Sequence, residues 1–388
     1  MFPKNAWYVA AMADEVGAER PLGRRICGAP LALWRDAQGV AHAVEDWCPH
    51  RGAPLSLGRV CEGALVCGYH GLAMGCDGRT VAMPGQRVRG FPPVRAFPLV
   101  ERHGFLWVWP GEAALADPAA IHDCPWTAPG HADDWAFGGG LFHVKADYRL
   151  MIDNLMDLTH ETYVHAGSIG QKEIDETPCE TRVDGDVVTT RREMHGIIAP
   201  PFWQMALRGV GLDDQAPVDR WQICQFYPPS HVLIEVGVAQ AGRGGFDAPP
   251  EAKASAVVVD FITPETETTM WYFWGMARRF APRDAALTAQ IREGQGRIFS
   301  EDIEMLERQQ ANLSAWPERA LLKLNIDAGG VQSRRVLERW IAREQAPDGG
   351  APRAEAGAAG GLAEAAVVAT PVAGPAQVPV RQAGGVGA

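Results

Sequence analysis

One stretch of the chain combines acidic and histidine side chains at a spacing that suits a metal site. It runs from Asp153 to His165, and its apolar residues occupy most faces of the helix that their spacing predicts. Asp153, Asp157 and His160 follow one another along the remaining face. Burying such groups unpaired costs on the order of several kcal/mol each, so they need either a metal ion or one another. The five-residue separation of His160 and His165 lets both reach one ion only near a helix end. A buried ion-pair or hydrogen-bond network without metal is the alternative.

A carboxylate that could complete such a site lies much later in the chain. Residues 285–313 have a helical period, and Asp302 falls within their apolar stripe, whereas Glu301 lies off it as a solvated charge would. Two imidazoles and one carboxylate form the open 2-His-1-carboxylate site of non-haem Fe(II) oxygenases. His160, His165 and Asp302 are therefore the predicted iron ligands. The alternative is that Asp302 pairs with a buried arginine or caps a neighbouring helix.

A second group of potential ligands lies near the start of the chain. Cys48 and His50 are two positions apart, and Cys67 and His70 are three apart, each pair with a glycine nearby. The repeated pattern predicts two similar loops that close on one centre. Two thiolates and two imidazoles suit either tetrahedral zinc or a Rieske [2Fe–2S] cluster, in which two Cys hold one iron and two His the other. Because each loop supplies one Cys and one His, the pattern favours the Rieske cluster, with zinc as the alternative.

Composition excludes several classes of protein. The chain has 388 residues, enough for two domains, and a net charge of −11, which argues against binding to nucleic acid. It has neither a signal-peptide pattern at its start nor a run of eighteen apolar residues, so we expect no membrane span and a cytoplasmic location. Its eight cysteines are then expected to be reduced thiols or metal ligands. Cys61 and Cys76, outside the motifs, are predicted to be small buried hydrophobic residues.

The motifs lie in two units of different secondary structure. Residues 1–112 show short strands and turns, and predict an all-β domain that carries the Cys/His loops. Residues 113–134 are rich in Ala, Asp and Pro and predict a connector. Residues 135–345 predict antiparallel strands flanked by helices, an α+β catalytic domain. Residues 346–388, rich in Ala, Gly and Pro, predict a disordered tail. The predicted strands and hairpins are 31–35 with 40–47, 100–109, 181–194, 221–227, 232–239, 257–262 and 270–275.

Over about residues 1–345 the chain resembles the oxygenase components of Rieske non-haem iron oxygenases. The cluster motif and the helix motif D-x3-D-x2-H-x4-H occur in this order and in separate units. The resemblance is closest, more narrowly, to the vanillate O-demethylase branch of that family, through residues 154–165, 168–176, 199–203 and 323–331. It implies a helix-grip catalytic domain, a [2Fe–2S] cluster, a mononuclear Fe(II), O2 as co-substrate and a head-to-tail homotrimer.

The resemblance also implies an activity. The expected substrate is a small aromatic acid with a methoxy group. The expected reaction converts vanillate to protocatechuate and formaldehyde. Asp157 is expected to orient His160 and to connect it with the histidine of a neighbouring subunit's cluster that corresponds to His70 here. One alternative is a related monooxygenase acting on another methoxy- or chloro-substituted benzoate. Another is a Rieske electron carrier or a zinc-binding protein without oxygenase activity.

The chain itself shows no site for a nicotinamide or flavin cofactor. No G-x-G-x-x-G motif follows a predicted strand, so electrons are expected to come from another protein. The resemblance implies a reductase that carries flavin and an iron–sulfur cluster and uses NAD(P)H. Within the chain, Arg220 and His231 are candidate anchors for a substrate carboxylate, with an ordinary structural role as the alternative, and Asn154 is a further candidate substrate contact.

Overall fold

An all-β unit comes first in the chain and an α+β unit follows, as the sequence predicted. The structure is a computed structural model, and it describes residues 1–128 and 134–346 together with the backbone of 367–369. None of the described helices has the length and apolar character needed to cross a membrane.

The first unit contains short strands joined by turns. Its strands are β1 (Tyr8–Met12), β2 (Leu22–Ile26), β3 (Ala29–Arg35), β4 (Ala41–Glu45), β5 (Arg59–Cys61), β6 (Ala64–Val66), β7 (Ala73–Met74), β8 (Thr80–Ala82), β9 (Ala96–Phe97), β10 (Leu99–Arg102) and β11 (Phe105–Val108). They form three antiparallel sheets with the orders β1-β11-β10, β2-β3-β4-β9 and β5-β6-β7-β8. The loops that carry the Cys/His motifs leave β4 and β6.

Turn residues explain the predicted hairpins of this unit. Strands β10 and β11 pair around His103 and Gly104, whose φ angles are +56° and +82°. Two successive residues with positive φ give a tight turn whose twist matches that of the flanking strands. The hairpin of β3 and β4 forms at the position the sequence predicted.

The second unit is one eight-stranded antiparallel sheet with helices. Its strands are β12 (Ala136–Val144), β13 (Cys179–Asp184), β14 (Val187–Ile197), β15 (Val218–Tyr227), β16 (His231–Gln240), β17 (Lys253–Pro264), β18 (Met270–Arg278) and β19 (Val367–Ala369). Its helices are α1 (Tyr148–Leu155), α2 (Glu161–Val164), α3 (Lys172–Glu176), α4 (Pro201–Gly209), α5 (Ala285–Ala315) and α6 (Ala328–Gln345). The sheet order is β12-β18-β17-β16-β15-β14-β13-β19.

The two faces of the large sheet have different neighbours. Because side chains alternate along a strand, Val258 and Ile262 of β17 join the core shared with the helices. Phe261 points to the other face of the sheet and joins a second core with Trp7 and Trp107 of the first unit. At β17, therefore, residues of the first unit pack on one face of the sheet and the helices cover the other face.

The prediction of one continuous helix over residues 153–165 was wrong, because the structure divides this stretch into two helices. Helix α1 ends at Leu155 and α2 begins only at Glu161. Between them, Asp157 Oδ1 accepts a hydrogen bond from the Thr159 backbone N–H at 2.7 Å. Such a local side-chain bond offers the backbone an alternative to the helix. The break changes the direction of His160 and His165 relative to α1. The helix faces expected from a continuous helical period therefore do not apply to these two residues.

The proposed domain limits remain predictions. Most of the predicted tail, residues 347–366 and 370–388, lies outside the described residues, as do residues 129–133 of the predicted connector. The backbone of β19 pairs antiparallel with the edge strand β13.

Candidate metal centres

His160, His165 and Asp302 converge on the helix side of the sheet. One ligand atom from each lies within 4.8 Å of the others. The nearer Asp302 oxygens are 3.5 Å from His160 Nε2 and 3.2 Å from His165 Nε2. The two rings, one before α2 and one after it, meet Asp302 of α5, 137 positions beyond His165 in the chain. The donor set, two imidazole nitrogens and a carboxylate, fits a divalent iron with open coordination positions.

The electrostatics of this triad favour a cation. Burial acts to lower the pKa of His160, but Asp157 and Asp302 outweigh it and raise that pKa. Burial likewise opposes charge on His165, and Asp302 followed by Glu301 raises its pKa. The surrounding carboxylates therefore stabilise positive charge at the point where the three side chains meet.

Two further side chains hold the triad in place. Glu301 Oε2 lies 2.7 Å from His165 Nδ1, and Asn154 Nδ2 donates to Asp302 Oδ1 at 3.0 Å. Glu301 is exposed, as its position off the apolar stripe predicted, but the sequence did not indicate its contact with His165. Its position next to Asp302 in sequence was the available signal. Asn154, a candidate substrate contact, is placed instead against a predicted iron ligand.

The two acids of the helix motif have different surroundings. Asp157 Oδ2 lies 3.7 Å from His160 Nδ1, beyond hydrogen-bond range but close enough for a charge contact. Burial acts to raise the pKa of Asp157, yet His160 and Thr159 lower it on balance. Asp153 points elsewhere and accepts from the Arg334 guanidinium at 2.5–2.9 Å. For Asp153 the structure contains an ion pair, as in the alternative considered, but about a third of each side chain is exposed.

The two Cys/His loops have equivalent backbone geometry. Cys48 N–H donates to Ala53 at 2.9 Å, and Cys67 N–H donates to Leu72 at 2.8 Å. In each loop the glycine four residues after the cysteine donates back to it and has positive φ. The predicted similarity of the loops thus holds for their hydrogen bonds.

The four motif side chains divide into an inner and an outer pair. Both thiols are buried, and burial followed by the adjacent Cys67 thiol raises the pKa of Cys48. The His50 and His70 rings are exposed, with centroids 4.5 Å apart. Sulfur donors inside and nitrogen donors outside fit a Rieske cluster, where each iron takes one kind of ligand.

His231 does not lie with the triad. It is buried against Trp107 and Phe261, at ring distances of 5.4 and 5.3 Å, on the sheet face that packs on the first unit. In the register of β16 and β17, His231 pairs with Phe261. Val232, the next residue, pairs with Asp260 on the helix face. The sequence could not reveal this face without the register. This packing favours the structural role that was the alternative for His231 over a role as carboxylate anchor.

Arg220 lies on β15 within a buried polar network beside α2. Its guanidinium donates to the Gln171 side chain and lies 3.6 Å from Glu161. Gln222 donates to the other Glu161 oxygen at 2.6 Å. Burial lowers the pKa of Arg220, and Glu161 only partly opposes this. Its charge is therefore already paired with that of Glu161, which weakens the case for Arg220 as the carboxylate anchor.

The prediction that Cys61 and Cys76 are buried was wrong, because both are exposed. Both lie on or beside short edge strands and turns of the first unit, where a small side chain is not covered. Cys76 also comes within 4.8 Å of Asp36 and His42. Asp36 Oδ2 lies 2.7 Å from His42 Nε2, and Asp36 Oδ1 accepts a hydrogen bond from the Gln38 backbone N–H. These local hydrogen bonds explain why the three side chains lie together.

Several buried polar side-chain atoms in the described part of the chain lack a hydrogen-bond partner. Among the described residues, those on the helix side include Asn154 Oδ1, Gln222 Oε1, Asp260 Oδ2 and Trp274 Nε1. Buried polar atoms without partners are rare in folded proteins, so each needs an explanation. A bound polar molecule or an ordered water would give such atoms a hydrogen-bond partner.

Sequence comparison assigns both units. Residues 6–98 match the Rieske [2Fe-2S] domain, and residues 144–343 match the vanillate O-demethylase oxygenase C-terminal domain. The vanillate O-demethylase oxygenase subunit of Pseudomonas sp. strain HR199 is 66% identical over 345 residues, which cover 89% of this chain and 96% of that relative. The subunit of the same description from Pseudomonas sp. strain ATCC 19151 is 68% identical, covering 83% and 97%.

Structural comparison agrees with this assignment. The crystal structure of dicamba monooxygenase bound to 3,6-dichlorosalicylic acid has a TM-score of 0.80 and 35% identity, covering 89% of this chain and 99% of that one. A Rieske domain followed by a helix-covered antiparallel sheet with converging His, His and Asp side chains defines a Rieske non-haem iron oxygenase. Enzymes of this class contain both a [2Fe–2S] cluster and a mononuclear iron, and as oxygenase components they receive electrons from a reductase. Within the class, the chain belongs to the vanillate O-demethylase oxygenase family.

Proposed function

We propose one set of protein ligands for each metal group. The cluster ligands are Cys48, His50, Cys67 and His70. The iron ligands are His160, His165 and Asp302. The buried thiols beside exposed imidazoles support the first set, and the convergence of three donor atoms within 4.8 Å supports the second. When bound, the cluster supplies single electrons and the iron provides the site at which O2 is activated.

The chain's own side chains orient the iron ligands. His165 Nδ1–H donates a hydrogen bond to Glu301, which leaves the Nε2 lone pair free to bind the iron. The Asn154 amide fixes one oxygen of Asp302. Asp157 lies on the Nδ1 side of His160 and carries a negative charge that favours a proton there. Asp157 is also partly exposed, so it is suited to connect His160 with a cluster on a neighbouring subunit.

The reaction we propose is the O-demethylation of vanillate to protocatechuate. One oxygen atom enters a C–H bond of the methyl ether, and the hemiacetal that forms separates into a phenol and formaldehyde. The methyl ether, O2, two electrons and two protons thus give phenol, formaldehyde and water. The observation that carries this substrate is the 66–68% identity with two vanillate O-demethylase subunits over most of their length.

A related substrate is the second candidate. The fold match with dicamba monooxygenase, at 35% identity, favours a methoxy- or chloro-substituted benzoate as the wider substrate class. The lower identity makes this the weaker of the two. A carrier or zinc protein without oxygenase activity would have no use for the second group of converging donors on the helix side.

We infer that the protein is a cytoplasmic head-to-tail homotrimer and that its partner is a reductase that carries flavin and an iron–sulfur cluster. The outer histidines of the cluster loops are exposed beside Trp47 and Tyr69, whose exposed fractions are 54% and 64%. Tyr163, in the helix that follows His160, is 77% exposed. Large exposed side chains at both ends of the expected electron path suit contacts with other chains.

The test is turnover of vanillate with an added reductase, NADH and O2. Protocatechuate and formaldehyde should form in equal amounts. Asp302→Ala should keep the visible absorption of the Rieske cluster but lose product formation. Turnover of dicamba without turnover of vanillate would favour the second candidate, and reduction of the cluster without product from either acid would favour a carrier.

A further inference from the structure

Two polar side chains on the helix face of the sheet have no part in holding the proposed iron ligands. Asp260 of β17 and Tyr272 of β18 are both fully buried. They are diagonal neighbours, because Asp260 pairs with Trp274 and Ile262 pairs with Tyr272 in the strand register. The Tyr272 hydroxyl donates to Asp260 Oδ1 at 2.6 Å. The pair is therefore a fixed feature of the sheet surface that the helices cover.

The pair lies close to the proposed iron site. The ring of Tyr272 packs edge-on against Phe299 at 5.3 Å. Phe299 and Asp302 are both buried residues of α5 and are three positions apart, hence on one face of that helix. The Asp302 charge also raises the pKa values of Asp260 and Tyr272, with burial as the larger cause in both.

One oxygen of this pair has no partner. Within the described residues, Asp260 Oδ2 accepts and donates no hydrogen bond, although the side chain is fully buried. Burial raises the pKa of Asp260 to about 8, and the hydrogen bond from Tyr272 only partly offsets this. A neutral carboxyl group whose Oδ1 already accepts from Tyr272 keeps its proton on Oδ2. It then presents one hydrogen-bond donor that the protein itself does not use.

The chemistry of the substrate indicates what this donor meets. In a 4-hydroxy-3-methoxybenzoate, the hydroxyl is adjacent to the methyl ether and the carboxylate lies on the far side of the ring. The ether carbon must face the iron, so the adjacent hydroxyl lies near it as well. Placing the carboxylate there instead would bring a second negative charge beside Asp302, which is unfavourable at low dielectric.

On this basis we propose that Asp260, held by Tyr272, recognises the phenolic hydroxyl next to the methyl ether and selects substrates that carry it. This proposal rests on the proposed demethylation, and it identifies the substrate group that the protein recognises, the phenolic hydroxyl. A site that hydrogen-bonds a substrate hydroxyl discriminates strongly against analogues that lack it, because its own buried group is then left unpaired.

The test compares vanillate with 3-methoxybenzoate, which lacks only the hydroxyl. Wild-type protein should prefer vanillate in kcat/KM by about tenfold to hundredfold. Asp260→Val should remove most of this preference, mainly through a loss on vanillate. Asp260→Asn keeps a donor and an acceptor in the same volume and should retain the preference. Calorimetric dissociation constants for both acids should show the same ratios without turnover.

A buried control on the same strand separates recognition from folding. Thr263 of β17 donates to the Val9 carbonyl at 2.7 Å on the opposite side of the sheet. Thr263→Val should lower stability while leaving the substrate ratio as in wild type. Equal losses on both acids in Asp260→Val, or an unchanged ratio, would overturn the proposal while leaving the demethylase assignment intact. A wild-type protein that neither binds nor converts vanillate overturns both.

Discussion

Glu301 supports the proposed iron site without being one of its ligands. Its Oε2 is 2.7 Å from His165 Nδ1, so it sets which ring nitrogen carries the proton. A hydrogen bond to a charged group contributes about 1.5–3 kcal/mol, and partial exposure of Glu301 places this one near the lower value. At about 1.4 kcal/mol per factor of ten, Glu301→Ala should weaken Fe(II) binding about tenfold. Losses of about 10–100-fold are typical when such supporting contacts are removed.

The assay is Fe(II) affinity by competition with a chelator, measured on protein whose Rieske absorption is intact. Glu301→Gln keeps a neutral acceptor and should lose about 1 kcal/mol, or about fivefold. Glu304 is the matched control, since it is exposed on the same helix and pairs with Arg308 at 2.7 Å. Glu304→Gln should bind Fe(II) as wild type does. If Glu301→Ala also binds Fe(II) with wild-type affinity, the assignment of its role is wrong.

Three further predictions concern turnover and pH. Asp157→Asn should keep both metal groups yet lower turnover by about 10–100-fold, and full activity with unchanged single-turnover electron transfer would contradict the role of Asp157. Because the folded pKa of Asp260 is raised to about 8 from 3.8, wild-type stability should fall as pH rises between those values, by about 1.4 kcal/mol per unit. Asp260→Asn should flatten that slope in urea unfolding, and equal slopes would refute the raised pKa. Burial lowers the pKa of His122 to about 4 and of His231 to about 3, so the unfolded chain gains protons first and stability should fall as pH drops below about 6.5. His231→Phe should reduce that loss between pH 7 and 5, and an unaltered pH dependence would count against it.

Local patterns were sufficient to predict the fold class and the groups that converge. The Cys/His loops depend on turns encoded within a few residues, with glycines at Gly52 and Gly71 where φ is positive. Asp302 was found because a carboxylate within an apolar stripe must be buried. These features follow from spacing alone.

Long-range contacts account for what the sequence did not reveal. Asp153 pairs with Arg334, 181 positions later, so its stripe could not distinguish an ion pair from a metal site. For His231 the sequence left an anchor and a structural role open, because strand alternation gives two faces and only the register with Phe261 shows which face His231 occupies. The break after α1 coincides with two hydrogen bonds that Asp157 accepts from Thr159, and helical periodicity does not reveal such bonds.

The short helix α2 has a mechanical consequence. It has four residues, and its ends bear His160 and His165, whereas Asp302 belongs to α5 with 31 residues. Glu161 connects it to the sheet through Gln222 and Arg220. An ion bound by all three ligands would therefore join this short segment to a long helix. Releasing the ion would loosen the segment while the sheet beneath keeps its shape, so emptying and refilling the centre need not unfold the enzyme.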